Sequence, residues 1–264
     1  MRLYYQNGYH DEFKKDPNVD PNVKARYKSA LKQALDIRKF EIEMYWKRAT
    51  YFWTFISVIY GGYFYLVKDL ESSAVLKTLN YARIYSTLKV IDNIEEKATI
   101  EKQLSLISSS QDAYSALLLI AAIGFLFSLS WYCVNRGSKF WQNNWEGHVD
   151  LLEDSVHGPL YKLVVFKKPK RFHPTRAYPF SVSKINQSLS LFITSVSAVL
   201  LVKEIERFFS QGLPNNDFIL AGVFLIIVFG FAIKILFSDS SLKINKSCVI
   251  MNNNDMIIKR DINI

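Results

Sequence analysis

Cysteine and histidine are scarce in this chain, and no arrangement of them builds a metal or redox centre. Its 264 residues include two cysteines, Cys133 and Cys248, and four scattered histidines, His10, His148, His157 and His173. The cysteine spacing suggests no metal site. Both fall on segments expected at or inside a cytoplasmic face, so a reduced pair is expected. The scattered histidines fit surface or interface positions rather than a ligand set. No C-x-x-C pair, H-E-x-x-H helix, G-x-S-x-G elbow or glycine-rich phosphate loop occurs. The sequence therefore offers no catalytic, cofactor-binding or metal-binding residue, and the expectation is of a protein that is not an enzyme. The first forty-eight residues are polar and charged, so no cleavable signal peptide is expected.

Charge is almost missing from four stretches. Half of the residues are hydrophobic, an ordinary share, but they cluster in residues 49–67, 113–134, 185–202 and 218–237. About twenty apolar residues cross a hydrocarbon core. The expected fold class is mainly α: a polytopic membrane protein with four transmembrane helices, long cytoplasmic helical extensions and a small cytoplasmic β element. In the first span, Tyr51, Phe52, Trp53 and Phe55 lie near one end and Tyr60, Tyr63, Phe64 and Tyr65 near the other, suiting two interfacial belts. Gly61 and Gly62 would allow close helix contact or a bend. In the second span, Ala121, Ala122, Gly124 and Ser128 are small enough for tight interhelical packing. In the fourth, Lys234 lies near the end and can snorkel to the interface.

What charge there is favours one sign. Lysine and arginine number 33 against 24 acidic residues, a net charge of +9. The basic residues sit mostly beside the apolar stretches, which orients a membrane protein. No aromatic-plus-basic RNA-binding signature appears, so nucleic acid is not an expected partner. Residues 1–48 hold eleven Lys or Arg, residues 134–184 nine and the tail four. Residues 203–217 hold two, and residues 68–112 hold six, outweighed by seven acids. Basic loops stay inside, so both termini are expected in the cytoplasm.

Taken in order, residues 1–22 are a polar arm. Pro21 suits the first position of a helix capped by Asp20. Residues 21–48 form an amphipathic cytoplasmic helix, with Leu31, Leu35, Ile42 and Tyr45 at helical spacing. Residues 68–112 read as one or two amphipathic helices in an extracytoplasmic cap. In residues 135–184 the second span continues as a helix whose face of Trp141, Trp145, Val149 and Leu152 needs a partner. The 21–48 helix is the natural candidate. Gly158-Pro159 stops it, and Asp150, Glu153 and Asp154 read as its solvated end. Residues 160–166 suggest a strand, and residues 167–176 a basic loop suited to anionic lipid headgroups. Residues 203–217 form a short extracytoplasmic turn region. Residues 238–264 read as a cytoplasmic β-hairpin around Asn252 to Asp255.

Residues 129–161, LSWYCVNRGSKFWQNNWEGHVDLLEDSVHGPLY, combine the close of an apolar run, a basic tryptophan-rich boundary and a polar helix. With LDIRKFEIEMYWKRATYFW at 35–53 and FSVSKINQSLSLF at 180–192, this stretch resembles the bacterial RipA family of octameric membrane proteins. The resemblance implies a multi-pass inner-membrane protein that self-assembles as an octamer, and no established reaction. It does not reach residues 68–112. Phe40, Trp46, Trp131, Arg136, Lys139, Trp141, Trp145 and Glu146 are the candidate interface and assembly residues. The expected partners are other copies of the chain and membrane lipids, including anionic headgroups.

Three functions remain open: a structural membrane assembly, a ring-shaped channel or transporter for ions or small solutes, or an enzyme acting on lipid or nucleotide near residues 136–146. The third span separates the first two. Gln187, Ser190, Thr194 and Ser197 form a polar stripe that either lines a water-filled path or bonds between helices. Hydroxyl rows commonly serve packing, so the interhelical arrangement is favoured.

Overall fold

The computed structural model describes residues 21–88, 111–163, 165, 175, 177–210, 215–238, 249–252 and 255–258. The polar arm up to Asp20, the second half of the expected cap, most of the basic loop and Cys248 lie outside the described residues. Four α-helices follow one another: α1 (Pro21–Leu88), α2 (Gln111–Leu152), α3 (Val182–Phe209) and α4 (Asn215–Leu236). Two short strands, β1 (Val249–Asn252) and β2 (Asp255–Ile258), pair antiparallel, with Val249 opposite Ile258 and Asn252 opposite Asp255.

Among the described residues, three stretches are long and apolar enough to cross a membrane: Tyr114–Ser155, Val182–Phe209 and Phe218–Leu236. Residues 49–67 of α1 are not among them. They carry no charge, but their tyrosine, tryptophan and threonine dilute the apolar content. α1 also runs on without a break past residue 68, where a separate cap was expected to begin. Residues 68–88 contain neither glycine nor proline, so nothing in that stretch ends the helix.

α3 differs from expectation in the same way. Its polar C-terminal residues were read as a loop from Lys203, yet the helix continues to Phe209. The breakers Gly212 and Pro214 come only later. The 28 residues of α3 rise about 42 Å, more than the ~30 Å hydrocarbon thickness.

The chain divides into two compact units. The first takes Met1–Lys47, Arg136–Ser183 and Phe237–Ile264, and the second Arg48–Asn135 and Lys184–Leu236. In the first, Val23, Tyr27, Leu31 and Ala34 of α1 pack with Val149, Leu151 and Leu152 of α2, and Trp145 is partly buried against them. In the second, the core joins Tyr63 of α1, Leu117, Leu118, Ala121 and Ala122 of α2, Leu201 and Phe208 of α3, and Ala221 and Val228 of α4. The outer surface of the second unit is apolar. Val58 on α1, Val199 on α3 and Ile226 on α4 are each about 70% exposed. A surface of that kind belongs against lipid or another protein.

Glycine is used where two helices meet, though not where the GG pair suggested. A Cβ on Gly61 or Gly62 would meet nothing within 4 Å. One on Gly124 would lie 3.1 Å from Tyr60 Oη and 3.3 Å from Ile59 Cγ2. Ala121, Ala122 and Ser128 on α2 are buried close by in sequence, so this run of small residues lets α1 approach.

Among the described residues, the segment after α2 does not form the strand expected over residues 160–166. Residues 160–162 form turns and Leu163 and Val165 are irregular. α2 closes in a 3-10 turn, Glu153–Ser155, and the amides of Val156, His157 and Gly158 all reach the Glu153 carbonyl at 3.0 Å. Gly158 takes φ 84°, a left-handed conformation natural to glycine. The chain turns there: the Leu160 amide reaches the Gly158 carbonyl at 2.8 Å, and those of Tyr161 and Lys162 go to a side chain instead of a β ladder.

Gly124→Val is expected to push on Tyr60 and to destabilise the second unit by about 1–3 kcal/mol, the usual cost of overpacking. Gly61→Ala, facing open space within the protomer, is expected to preserve the fold. The thermal midpoints of the two detergent-solubilised variants, compared with wild type, check this.

Candidate functional site

The buried face of α3 carries Asn186, Ser190, Thr194, Ser197, Leu201, Glu204 and Phe208. Their steps of three and four keep them on one side of the helix. Ser190 and Ser197 are fully buried, and Glu204 is 1% exposed. Five of these seven side chains are polar or charged apart from Leu201 and Phe208, an unusual content for a buried helical face in a membrane. Each needs a partner, because hydrocarbon offers none.

The partners come from α1 and α2. Ser197 Oγ accepts a hydrogen bond from the Tyr60 hydroxyl and one from Ser128 Oγ at 3.0 Å. It donates to the Ile193 carbonyl at 2.6 Å, so two lone pairs and one proton are all in use. Thr194 Oγ1 donates between the Ser190 carbonyl at 2.8 Å and the Ser128 carbonyl at 2.9 Å. Ser190 Oγ turns back to the Gln187 carbonyl at 2.9 Å. Nearer the start of α3, Asn186 Nδ2 donates to Asn135 Oδ1 at 3.4 Å. Two further N–H groups on α2, Trp131 Nε1 and Asn135 Nδ2, are buried and make no hydrogen bond among the described residues. The indole of Trp131 packs edge-on against Trp53, with ring centroids 6.2 Å apart.

At the other end stands Glu204. The Tyr63 hydroxyl donates to its Oε1 at 2.6 Å, and Arg207 Nη1 lies 3.3 Å from both carboxylate oxygens. Removing such a carboxylate from water is costly unless it is paired and hydrogen-bonded, and here it is both. The Arg207 side chain keeps 25% of its surface exposed.

The first unit has its own buried carboxylate. Glu153 is fully buried. Its Oε2 accepts the amide of Tyr161 at 2.7 Å and its Oε1 that of Lys162 at 3.3 Å. The expected solvated acidic end is therefore correct for Asp150 and Asp154, which are exposed, but not for Glu153. Lys162 closes the turn through an ion pair with Asp154. Glu146 sits 3.8 Å from both Arg38 on α1 and Lys139 on α2, and Arg38 lies over the Tyr161 ring at 5.7 Å. These pairs are half-exposed and long, so each contributes no more than about 1 kcal/mol.

The remaining candidates fall in both places. Trp131 is 2% exposed, whereas Phe40 and Trp46 are 56% and 42% exposed. Arg136 is exposed, Trp145 is partly buried beside the His148 ring at 5.2 Å, and Trp141 meets Phe140 edge-on at 5.3 Å. Of the polar stripe, Ser190, Thr194 and Ser197 are brought together, and Gln187 is only partly buried. Asn186 takes the inward position one turn before Ser190. A step of four back from Ser190 would have found it. Tyr60 and Tyr63 face inward to Ser197 and Glu204 rather than forming an outer belt, while Phe64 and Tyr65 stay exposed. Glu204 was hidden by its neighbours: in the run VKEIERFF nothing distinguishes it from the exposed Glu206.

A family model, the octameric membrane protein family (8xMP), matches residues 28–86 and 98–205. No curated protein and no solved structure matches the chain.

Glu153→Ala is expected to leave the Tyr161 and Lys162 amides without acceptors. Both bonds are only partly buried, so the cost stays at or below about 1–3 kcal/mol for each group left unpaired. Asp154→Ala, which loses an exposed pair, is expected to cost under about 1 kcal/mol. Thermal unfolding and limited proteolysis after residue 158 distinguish the two.

Proposed function

The chain belongs to the octameric membrane protein family, and from that premise we propose that it is a structural assembly of eight copies in a bacterial inner membrane, akin to the RipA proteins. The carrying observation is that the protomer uses its polar residues internally and leaves apolar surface outside. Ser190 and Ser197 are fully buried, while Val58, Val199 and Ile226 are open. A protomer of this kind needs lipid and neighbouring copies to cover it.

The proposal counts residues 49–67 as a fourth span. They are uncharged and follow α2 along their length: Trp53 meets Trp131, Phe55 meets Phe127 at 5.9 Å, and Gly124 receives Tyr60. Four spans return the chain to its starting side, and the eleven basic residues before residue 49 put both termini in the cytoplasm. The first unit then forms a cytoplasmic collar with the hairpin β1–β2, and Arg136 and the basic loop meet anionic headgroups. Phe40, Trp46 and Phe140, at 56%, 42% and 50% exposure, supply apolar surface for subunit contacts.

A channel through the ring is the second reading, since eight copies enclose an axis. The stripe of α3 gives it little support, because Ser197 and Thr194 are spent on Tyr60 and Ser128 of the same protomer. An enzyme acting on lipid or nucleotide near residues 136–146 would need Glu146, which already pairs with Arg38 and Lys139.

Phe40→Ala combined with Trp46→Ala is expected to convert octamers into smaller species without unfolding the protomer, since large aromatics at an interface each contribute about 2 kcal/mol or more. Native mass spectrometry reads the stoichiometry, and an unchanged octamer removes these residues from the interface. Reporter fusions after residues 90, 160, 210 and 260 test the topology. An extracytoplasmic signal at 160 overturns it.

A further inference from the structure

We propose that each protomer carries a proton path within its own helices, along the seam of α1, α2 and α3 from Trp131 and Asn135 to Glu204, with Leu201 as its dry gate. This goes beyond the structural assembly and rests on residues 49–67 being a span. It places transport inside each copy rather than on the axis of a ring.

Three observations carry it. The first is at the Asn135 end. Trp131 and Asn135 stand one turn apart on α2, are 2% and 1% exposed, and hold N–H groups that bond to nothing among the described residues. A buried donor without an acceptor is rare in folded proteins. Water is the acceptor small enough to reach such a place, and buried polar groups commonly hold it. The second is the middle of the seam. Tyr60, Ser128 and Ser197 place hydroxyls from three helices in hydrogen-bond contact. Hydroxyl oxygens can accept one proton while releasing another, and this cluster relays protons once Ser197 turns its own proton away from the Ile193 carbonyl. The third is Glu204, a titratable group with 1% exposure on the same helical face, bonded to Tyr63 and to the partly exposed Arg207. An ionisable residue in such a place commonly marks a proton relay.

Between the two halves lies Leu201, 3% exposed. Ser197 and Glu204 are seven residues apart, about 10.5 Å along the helix, too far for direct transfer. Tyr60 and Tyr63 flank this interval, with ring centroids 6.4 Å apart. Around it the core of Leu117, Ala121, Ala221 and Val228 is apolar. Among the described residues, the titratable and charged groups bonded to Glu204 are Tyr63 and Arg207. When water crosses at Leu201 it carries the proton: an O–H bond of a hydronium breaks, leaving neutral water, and an O–H bond forms on the Glu204 carboxylate and loosens the contact with Arg207. That O–H bond breaks as the proton leaves to water at the Arg207 side, and the carboxylate is restored. No electron is transferred and no covalent bond persists. The seam is filled by side chains, and a single carboxylate offers no cage of oxygens for a metal cation.

The test uses the full-length protein in liposomes with a trapped pH dye and a valinomycin–potassium potential driving protons inward. Wild-type vesicles are expected to acidify faster than protein-free ones. Glu204→Gln and Ser197→Val should bring the rate down to the protein-free level, and Leu201→Ser should raise it severalfold. Ser195→Ala, which removes an exposed hydroxyl of the same helix, should leave it unchanged. A wild-type rate equal to that of protein-free vesicles overturns the proposal. So does a wild-type rate that Glu204→Gln and Ser197→Val leave intact, or a flux carried by sodium or potassium without protons. Should the loss variants fail to fold, the wild-type rate and the Leu201→Ser gain decide the matter. Particle mass is measured in parallel. Octamers without flux sink this proposal alone, and flux through smaller particles sinks the octameric assembly alone.

Discussion

Hydrocarbon gives a polar side chain nothing to bond to, and the rest of the second unit follows from that constraint. α3 carries four polar residues and one carboxylate on its inward face. They are tolerated because α1 and α2 present matching groups at matching heights. Ser197 is the centre of this arrangement, since its oxygen joins hydroxyls from Tyr60 and Ser128. For Tyr60 to reach it, α1 must come close to α2. That closeness is what Gly124 permits, with Tyr60 Oη 3.1 Å from where a Cβ would be. One hydrogen-bonding need thus accounts for a glycine on one helix, a tyrosine on a second and a serine on a third.

The first unit meets a similar problem by other means. α2 ends in a buried stretch, and its last carbonyls and the amides after them need partners. Glu153 supplies acceptors of two kinds for those amides. Its backbone carbonyl collects three amides, and its carboxylate collects two more from Tyr161 and Lys162. The β-rich composition of residues 160–166 is overridden because the amides of Tyr161 and Lys162 are already bonded to a side chain. Packing of Val149 and Leu152 on Tyr27 and Leu31 keeps this carboxylate away from water.

These two solutions have one consequence for function. Polar groups that could have faced a neighbour or a ring axis are satisfied within a single copy. What is left outside on the second unit is apolar, and a chain of the octameric membrane protein family can cover such surface with lipid or with its own copies. The buried seam is then a property of the protomer.

The helices were legible from sequence because each rests on local pattern. Small and apolar residues mark α2 and α4, and a three-to-four spacing marks the inward face of α3 from Ser190 to Ser197. The approach of Val149 and Leu152 to the helix after Pro21 was legible too, since an apolar stripe in water calls for a cover. Helix ends were less so: α1 passes residue 68 and α3 passes residue 202 because charge weakens an apolar run without breaking a helix. What only the tertiary structure decided is which residue of a pair turns inward. Asn186 rather than Gln187, Glu204 rather than Glu206, and Glu153 rather than Asp154 are chosen by partners far away in the chain. Tyr63 reaches Glu204 across a separation of 141 residues and Tyr60 reaches Ser197 across 137. A local pattern fixes the period of a buried face, but a hydrogen bond also needs a particular atom at about 3 Å, and only the packed helices bring it there.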